Sequence, residues 1–213
     1  MQLLDYLNGH FISLSQLLSN SGVGEQALRS YQQSGIMPKA SYVLNLHVGC
    51  ESFFGHHEQQ TECEYYAKGY LHWLGIVQAN AEPEFIYQVF SQRYLQTVSV
   101  LKTQGYQCKD EKLNIKLAEH VESEWQHFLS GTYGLCTRSG LPEDIAAKEL
   151  AIAQINELTL TEHLSAAELN ALAKAVDLLD KVSAHFAPHE RHRSSRHRLI
   201  DEVRRQYQLV SPT

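Results

Sequence analysis

The 213-residue chain has no apolar run approaching the roughly 20 residues needed to cross a bilayer, which argues against a transmembrane helix. Its N-terminus, MQLLDYLNGH, has neither a basic region nor a following apolar core, so a secretory signal is not expected. The cysteines Cys50, Cys63, Cys108 and Cys136 are widely spaced and form no CxxC pair. That spacing argues against a disulfide framework and fits reduced thiols in a cytoplasm. There is no internal repeat and no low-complexity tract. What remains, 43% hydrophobic and 20% charged residues, is the composition of an ordinary soluble globular protein.

The stretch around which the rest is arranged is Phe11 to Pro38, FISLSQLLSNSGVGEQALRSYQQSGIMP. Ser13 suits the N-cap of a first helix, with Gln16 completing a capping box. Leu14, Leu17 and Leu18 give that helix one apolar face, and Gly22 closes it. A second helix is expected from about Glu25 to Ser34, with Ala27, Leu28 and Tyr31 facing the first, and Gly35 stops it. Two short helices about a glycine turn form a helix-turn-helix, whose second helix is the one that enters a DNA major groove.

Leu14, Leu17, Leu18, Gly22-Val23, Leu28-Arg29, Tyr31 and Gly35-Ile36-Met37-Pro38 together resemble the winged helix-turn-helix of the MerR regulators. That resemblance implies DNA contacts from Gln26, Arg29, Tyr31 and Lys39. The chain departs from the pattern at Gly24 and Gln26, where the family usually has a polar N-cap and then an arginine. The arginine-rich wing after Pro38 is replaced by ASYVLNLHVG. Residues 1–49 carry Arg29 and Lys39 against Asp5 and Glu25. A formally neutral head is a weak reader of phosphate, so weak duplex contact at most is expected.

The charge of −6 is unevenly spread. Residues 50–186 hold ten Lys/Arg and nineteen Asp/Glu, whereas residues 187–213 hold six Arg and three acids. Met1 to Leu7 reads as a short amphipathic helix. Tyr42, Leu44, Leu46 and Val48 alternate as one face of a strand in the wing's place. A loop from Gly49 to about Gln60 follows, and the domain boundary is placed there. Beyond it the pattern is helical: Glu62–Ala79, Pro83–Gln104, Asp110–Leu129, a helix opened by Pro142, one capped by Ser165 and Glu168 and ending near Pro188, and His189–Gln208. The second of these is expected to bury Phe85, Ile86, Val89, Phe90, Leu95, Val98 and Leu101. The expected fold class is therefore mainly α. A small helix-turn-helix head with a short strand or wing (residues 1–49) precedes an all-helical domain of about six helices (residues 50–213).

Four groups of residues invite chemistry. Cys50, His56, His57 and Cys63 are zinc-ligand types without structural-zinc spacing, and an exposed polar loop is the expectation. On the helix Asp110–Leu129, Glu124 falls within the arc of Leu113, Leu117, Val121, Trp125 and Phe128, with His120 and His127 at its border. A carboxylate on a packing face requires a partner, and His127, Arg138, Arg193 and Arg196 are the candidates. Glu124-x-x-His127 is half of a di-metal bundle motif, but the second half occurs nowhere in the chain. No metal or cofactor is expected. In the segment SGTYGLCTRSGLP, Gly131, Gly134 and Gly140 permit close backbone approach, and Tyr133, Cys136 and Arg138 supply polar and reactive groups. Finally, Arg191, Arg193, Arg196 and Arg198 are placed to bind an anion, or in the case of Arg196 and Arg193 to pair with the acidic body.

FFG at 53–55, EYYAKGYLHWLG at 64–75, SGTYGLCT at 130–137 and SSRHRLIDEVRRQ at 194–206 resemble an uncharacterised bacterial family filed under natural-product biosynthesis. The resemblance implies a genomic or metabolic context and no reaction. The function expected is a non-catalytic regulatory or adaptor protein with a degenerate MerR-like head. Its helical body would bind a small-molecule ligand or a protein partner, in the cytoplasm and without a membrane. The alternative is a small enzyme, or an enzyme's helper, with a pocket around Glu124, His127, Tyr133, Cys136 and Arg138.

Overall fold

The computed structural model describes residues 2–161 and 163–210. Helix α1 (Gln2–His10) leads into a short strand β1 (Phe11–Ser13) and the helix pair α2 (Leu14–Ser21) and α3 (Glu25–Gln33). The expected start of α1 at Met1 lies outside the described residues. Ser13 caps α2 and forms a capping box with Gln16, while Gly22 ends it in the left-handed conformation at φ 70°.

Two long strands follow, β2 (Tyr42–Ser52) and β3 (Gly55–Ala67). They form an antiparallel hairpin whose register runs from Tyr42↔Tyr65 to Ser52↔Gly55. On its other edge β3 pairs with β1, Phe11↔Ala67 to Ser13↔Tyr65, so the sheet order is β1-β3-β2. This sheet overturns the mainly α, all-helical expectation for the chain beyond residue 49. The fold is helix-dominated but mixed, with ten α-helices and a three-stranded antiparallel sheet among the described residues.

The reasons are physical. Residues 49–60 read as a loop because both faces of the hairpin's outer half are solvated, leaving no apolar alternation to detect. Residues 62–67, expected to open a helix, are instead held in β3 by pairing with β2 at 62–65 and with the distant β1 at 65–67, a tertiary preference that overrides local pattern. The boundary between residues 49 and 50 falls inside β2.

Helix α4 (Tyr70–Ala79) starts after Gly69, and α5 (Pro83–Thr103), α8 (Pro142–Leu158) and α9 (Ala166–Val182) follow the proline and capping-box signals. The expected Asp110–Leu129 helix is a 3-10 turn (Glu111–Leu113) followed by α6 (Leu117–Leu129), and the loop after it contains a short α7 (Thr132–Cys136). α9 stops at Val182 rather than near Pro188. The last expected helix is a 3-10 turn (Arg191–Arg193), a π-helical turn (His197–Asp201) and α10 (Glu202–Tyr207). On α5, Ile86, Phe90, Tyr94, Val98 and Leu101 are buried, whereas Phe85 and Leu95 are exposed.

One core joins the two ends of the hairpin's base. Leu17, Val23, Leu28, Ile36 and Met37 pack in the same cluster as Trp73, Phe90, Trp125 and Phe128. Trp73 lies edge-on to Phe128 at a centroid distance of 4.8 Å, and its Nε1 donates to the Ile36 carbonyl at 2.9 Å. Gly131, at φ 85°, sits so close to the Lys39 and Ala40 carbonyls that a Cβ would lie 2.8 and 2.7 Å from them. The close approach expected of that glycine is thus used to seat the 130–140 segment against the chain after α3.

Candidate functional site

The exposed face of α3 is short of charge. Gln26 and Lys39 face solvent, while Tyr31 is half-buried against the core. Arg29 is engaged on three sides: its guanidinium lies 3.0 Å from Glu25, 2.8 Å from Glu64 on β3, and donates to the Tyr66 hydroxyl at 3.2 Å. Of the four DNA-contact candidates, the structure leaves Gln26 and Lys39 free to meet a polyanion.

The hairpin also spreads out the residues considered for zinc. Cys50 stands opposite His57, whereas Cys63 is opposite Leu44 far along the ladder. His56 lies between Glu51, at 2.5 Å, and Glu58, at 3.0 Å. Among the described residues no group of three or more His, Cys, Asp or Glu is arranged to hold a metal ion.

Glu124 lies on the packing face of α6, as its helical phase suggests, and is 5% exposed. Its environment differs from the expected one. None of His127, Arg138, Arg193 and Arg196 forms an ion pair with it. The nearest basic nitrogen is His120 Nδ1, at 3.7 Å from Oε1, beyond hydrogen-bonding distance. Oε2 is buried without a partner. Burial, reinforced by the nearby Glu149 carboxyl, raises the Glu124 pKa to about 8. Burial raises Glu149 as well, and it raises Tyr94, whose hydroxyl is unpartnered. The interior between α5, α6 and α8 thus disfavours the charged form of its carboxyls, Glu124 most clearly.

The other pocket candidates do not converge on it. His127 is exposed and meets Tyr133 edge-on, with ring centroids 6.3 Å apart. Burial pushes the Cys136 thiol up, the opposite of what a nucleophilic thiolate requires. The Cys136 carbonyl accepts from Lys148 Nζ at 2.7 Å. Arg138 lies elsewhere, lining a cleft of about 250 Å³ between the start of the chain and the segment after α9 as well as a second cleft beside Asp177 and Asp180.

The C-terminal arginines divide in two. Arg196, 7% exposed, pairs with Asp180 of α9, and Arg191 lies 3.0 Å from Asp201. Arg204, on which the sequence reading placed no role, bridges Asp180 at 2.6 Å and Asp177 at 2.9 Å. Burial would raise the Asp180 carboxyl, but the Arg204 and Arg196 guanidiniums outweigh it and hold the group below the usual carboxylate range. Arg193 and Arg198 remain exposed.

The profile of a family of unknown function, DUF6058, matches residues 86–208, more than half of the chain. The chain belongs to this family. No curated protein and no solved structure matches it. The DUF6058 span begins within α5 and runs through α10, so it contains the neutral-acid interior, Arg138 and the α9 ion-pair cluster. The helix pair and the hairpin lie outside it.

Proposed function

We propose that this protein is a non-catalytic regulatory or adaptor protein. Its head would be a degenerate winged helix-turn-helix that meets another protein rather than duplex DNA, on a helical body that receives a ligand. The element order α1-β1-α2-α3-β2-β3 with sheet order β1-β3-β2 supports a winged arrangement, the hairpin being the wing. The observation that carries the reading is electrostatic. Residues 2–67 hold Arg29 and Lys39 against Asp5, Glu25, Glu51, Glu58, Glu62 and Glu64, and Arg29 is neutralised by two of those acids. Non-specific DNA affinity comes mostly from neutralising phosphates, so an acidic wing beside an uncharged helix face opposes it. At the hairpin tip Phe53 and Phe54 are 98% and 95% exposed, the sort of aromatic anchor a protein partner buries.

Fluorescence-anisotropy titration with a generic duplex at about 50 and 200 mM salt tests the reading. The expected Kd is no tighter than about 10⁻⁴ M at the higher salt. Sub-micromolar, steeply salt-dependent binding that weakens in Gln26→Ala/Lys39→Ala would overturn it. Point variants are used because the head shares its core with the body.

A further inference from the structure

One cleft that Arg138 lines is built from parts of the chain that sequence alone does not connect. His10 comes from the end of α1, Lys68 from just after β3, Arg138 from the segment after α7, and Ser183 and His185 from just after α9. The rings of His10 and His185 are 5.1 Å apart. No Asp or Glu lines the cleft. The Arg138 guanidinium makes no ion pair among the described residues, and Lys68 Nζ donates only to the Gly9 carbonyl, at 2.7 Å. Four nitrogen bases therefore surround one space without a counter-charge. Ser183 adds an independent sign of a missing ligand: it is 0% exposed, lines the cleft, and its Oγ has no hydrogen-bond partner.

We propose that this cleft binds the phosphoryl group of a small phosphorylated molecule. Arg138 and Lys68 would supply fixed charge, His10 and His185 titratable donors, and Ser183 Oγ a hydroxyl donor. A guanidinium presents paired N–H groups to phosphate oxygens, and several cations around one point match a dianion better than a single carboxylate. A space of about 250 Å³ lies below the usual range for drug-sized ligands, which limits the occupant to phosphate itself or a small ester.

The surroundings set the pH dependence. Burial lowers the His10 pKa, with Lys68 and Arg138 adding to it. Burial likewise lowers His185, helped by Arg196, His10, Arg138 and Arg191. Arg191 and Arg196 are themselves paired with Asp201 and Asp180. Glu190 faces Tyr6, which lines the cleft, and accepts from the Tyr42 hydroxyl at 2.7 Å. Arg138 also borders a wider cleft toward Asp177 and Asp180, whose carboxylates are held by Arg196 and Arg204. A bound dianion offsets the like-charge repulsion, so it raises both imidazole pKa values, and affinity rises as pH falls through their range.

The site would be the ligand end of the regulatory reading, but its test does not depend on what the head binds. Inorganic phosphate, sulfate and acetate are titrated into the full chain, with binding read from NMR shifts of the His10, Ser183 and His185 signals. Sulfate stays a dianion across the pH range, so its pH dependence reports the protein alone. The expected result is saturable phosphate and sulfate binding, weaker for acetate, with sulfate held more tightly at pH 6 than at pH 8. Arg138→Ala should weaken it roughly tenfold, while Arg198→Ala, an exposed cation elsewhere, leaves it unchanged. Equal loss in both variants, acetate binding as tightly as phosphate, or no movement of these signals would overturn the proposal.

Discussion

Two acidic assemblies in this chain, one partly exposed and one buried, resolve the same problem in opposite ways. On α9, Asp180 keeps its charge because two guanidiniums reach it from the C-terminal segment. Between α5, α6 and α8, Glu124 has no cation within hydrogen-bonding distance and is held as a neutral acid. Removing a charge from water is expensive, and a protein either pairs it or discharges it. The choice is set by geometry rather than composition. Both regions are acidic in sequence, yet the arginines of the last segment fold back only on α9. The two also respond to pH in opposite directions. The stability contributed by Asp180, whose pKa is lowered, is full above its ordinary value of 3.8 and lost as pH falls through the depressed folded value. Glu124, whose pKa is raised from 4.5 to about 8, contributes most below its unfolded value, and that contribution is lost as pH rises through the folded one.

The largest effect is expected from breaking the paired assembly. Asp180→Ala leaves Arg196 buried and unpaired, while Arg204 keeps Asp177. The loss should be about 3–5 kcal/mol in urea melts at pH 7. Asp180→Asn keeps the shape and part of the hydrogen bonding and should lose less. Melts of Asp180→Ala that overlay those of wild type would mean the pair is worth nothing, and the contrast between the two interiors would collapse.

The unpaired assembly is tested by slope rather than by a single value. Wild-type stability should fall by about 3 kcal/mol between pH 5 and pH 8, because the unfolded chain gives up the Glu124 proton over a range in which the native state still holds it. Glu124→Gln, which cannot ionise, should match wild type within about 1 kcal/mol at pH 5 and exceed it at pH 8. Glu149 titrates in the same direction, so some slope survives the substitution. Parallel profiles for the two proteins would show that the carboxyl is solvated and charged after all.

What the sequence could reveal follows the range of the interaction. Ser13 with Gln16, Pro142, and Ser165 with Glu168 mark helix starts because caps act within three or four residues. The burial of Glu124 was legible from helical phase, since one face is fixed by its neighbours. That it lacks a cation was not legible, because any partner would come from another element. The hairpin failed for the converse reason: its outer half buries neither face, and the end of β3 is held by β1, far away in the chain. The bases of the Arg138 cleft carry no common signal, being single residues in four separate segments.

The smallest effect, and the one that sharpens the comparison, concerns a third ion pair that is only partly buried. The Arg29 side chain is 34% exposed against 9% for Arg196, although Glu64, at 15%, is more buried than Asp180, at 23%. Water still reaches the pair, so screening reduces its worth, and Arg29 retains Glu25 and the Tyr66 hydroxyl if Glu64 is removed. Tyr66 would lose the acceptor it reaches at 2.7 Å but would keep Arg29 and Gln32 beside it. Glu64→Ala should therefore shift urea-melt stability by no more than about 1 kcal/mol. The same variant removes one wing acid and partly frees the cation on α3, so its duplex affinity should rise modestly at low salt. A stability loss approaching that of Asp180→Ala would show that partial exposure does not weaken the pair. The idea that a pair's worth follows the burial of its cation would then have to be abandoned.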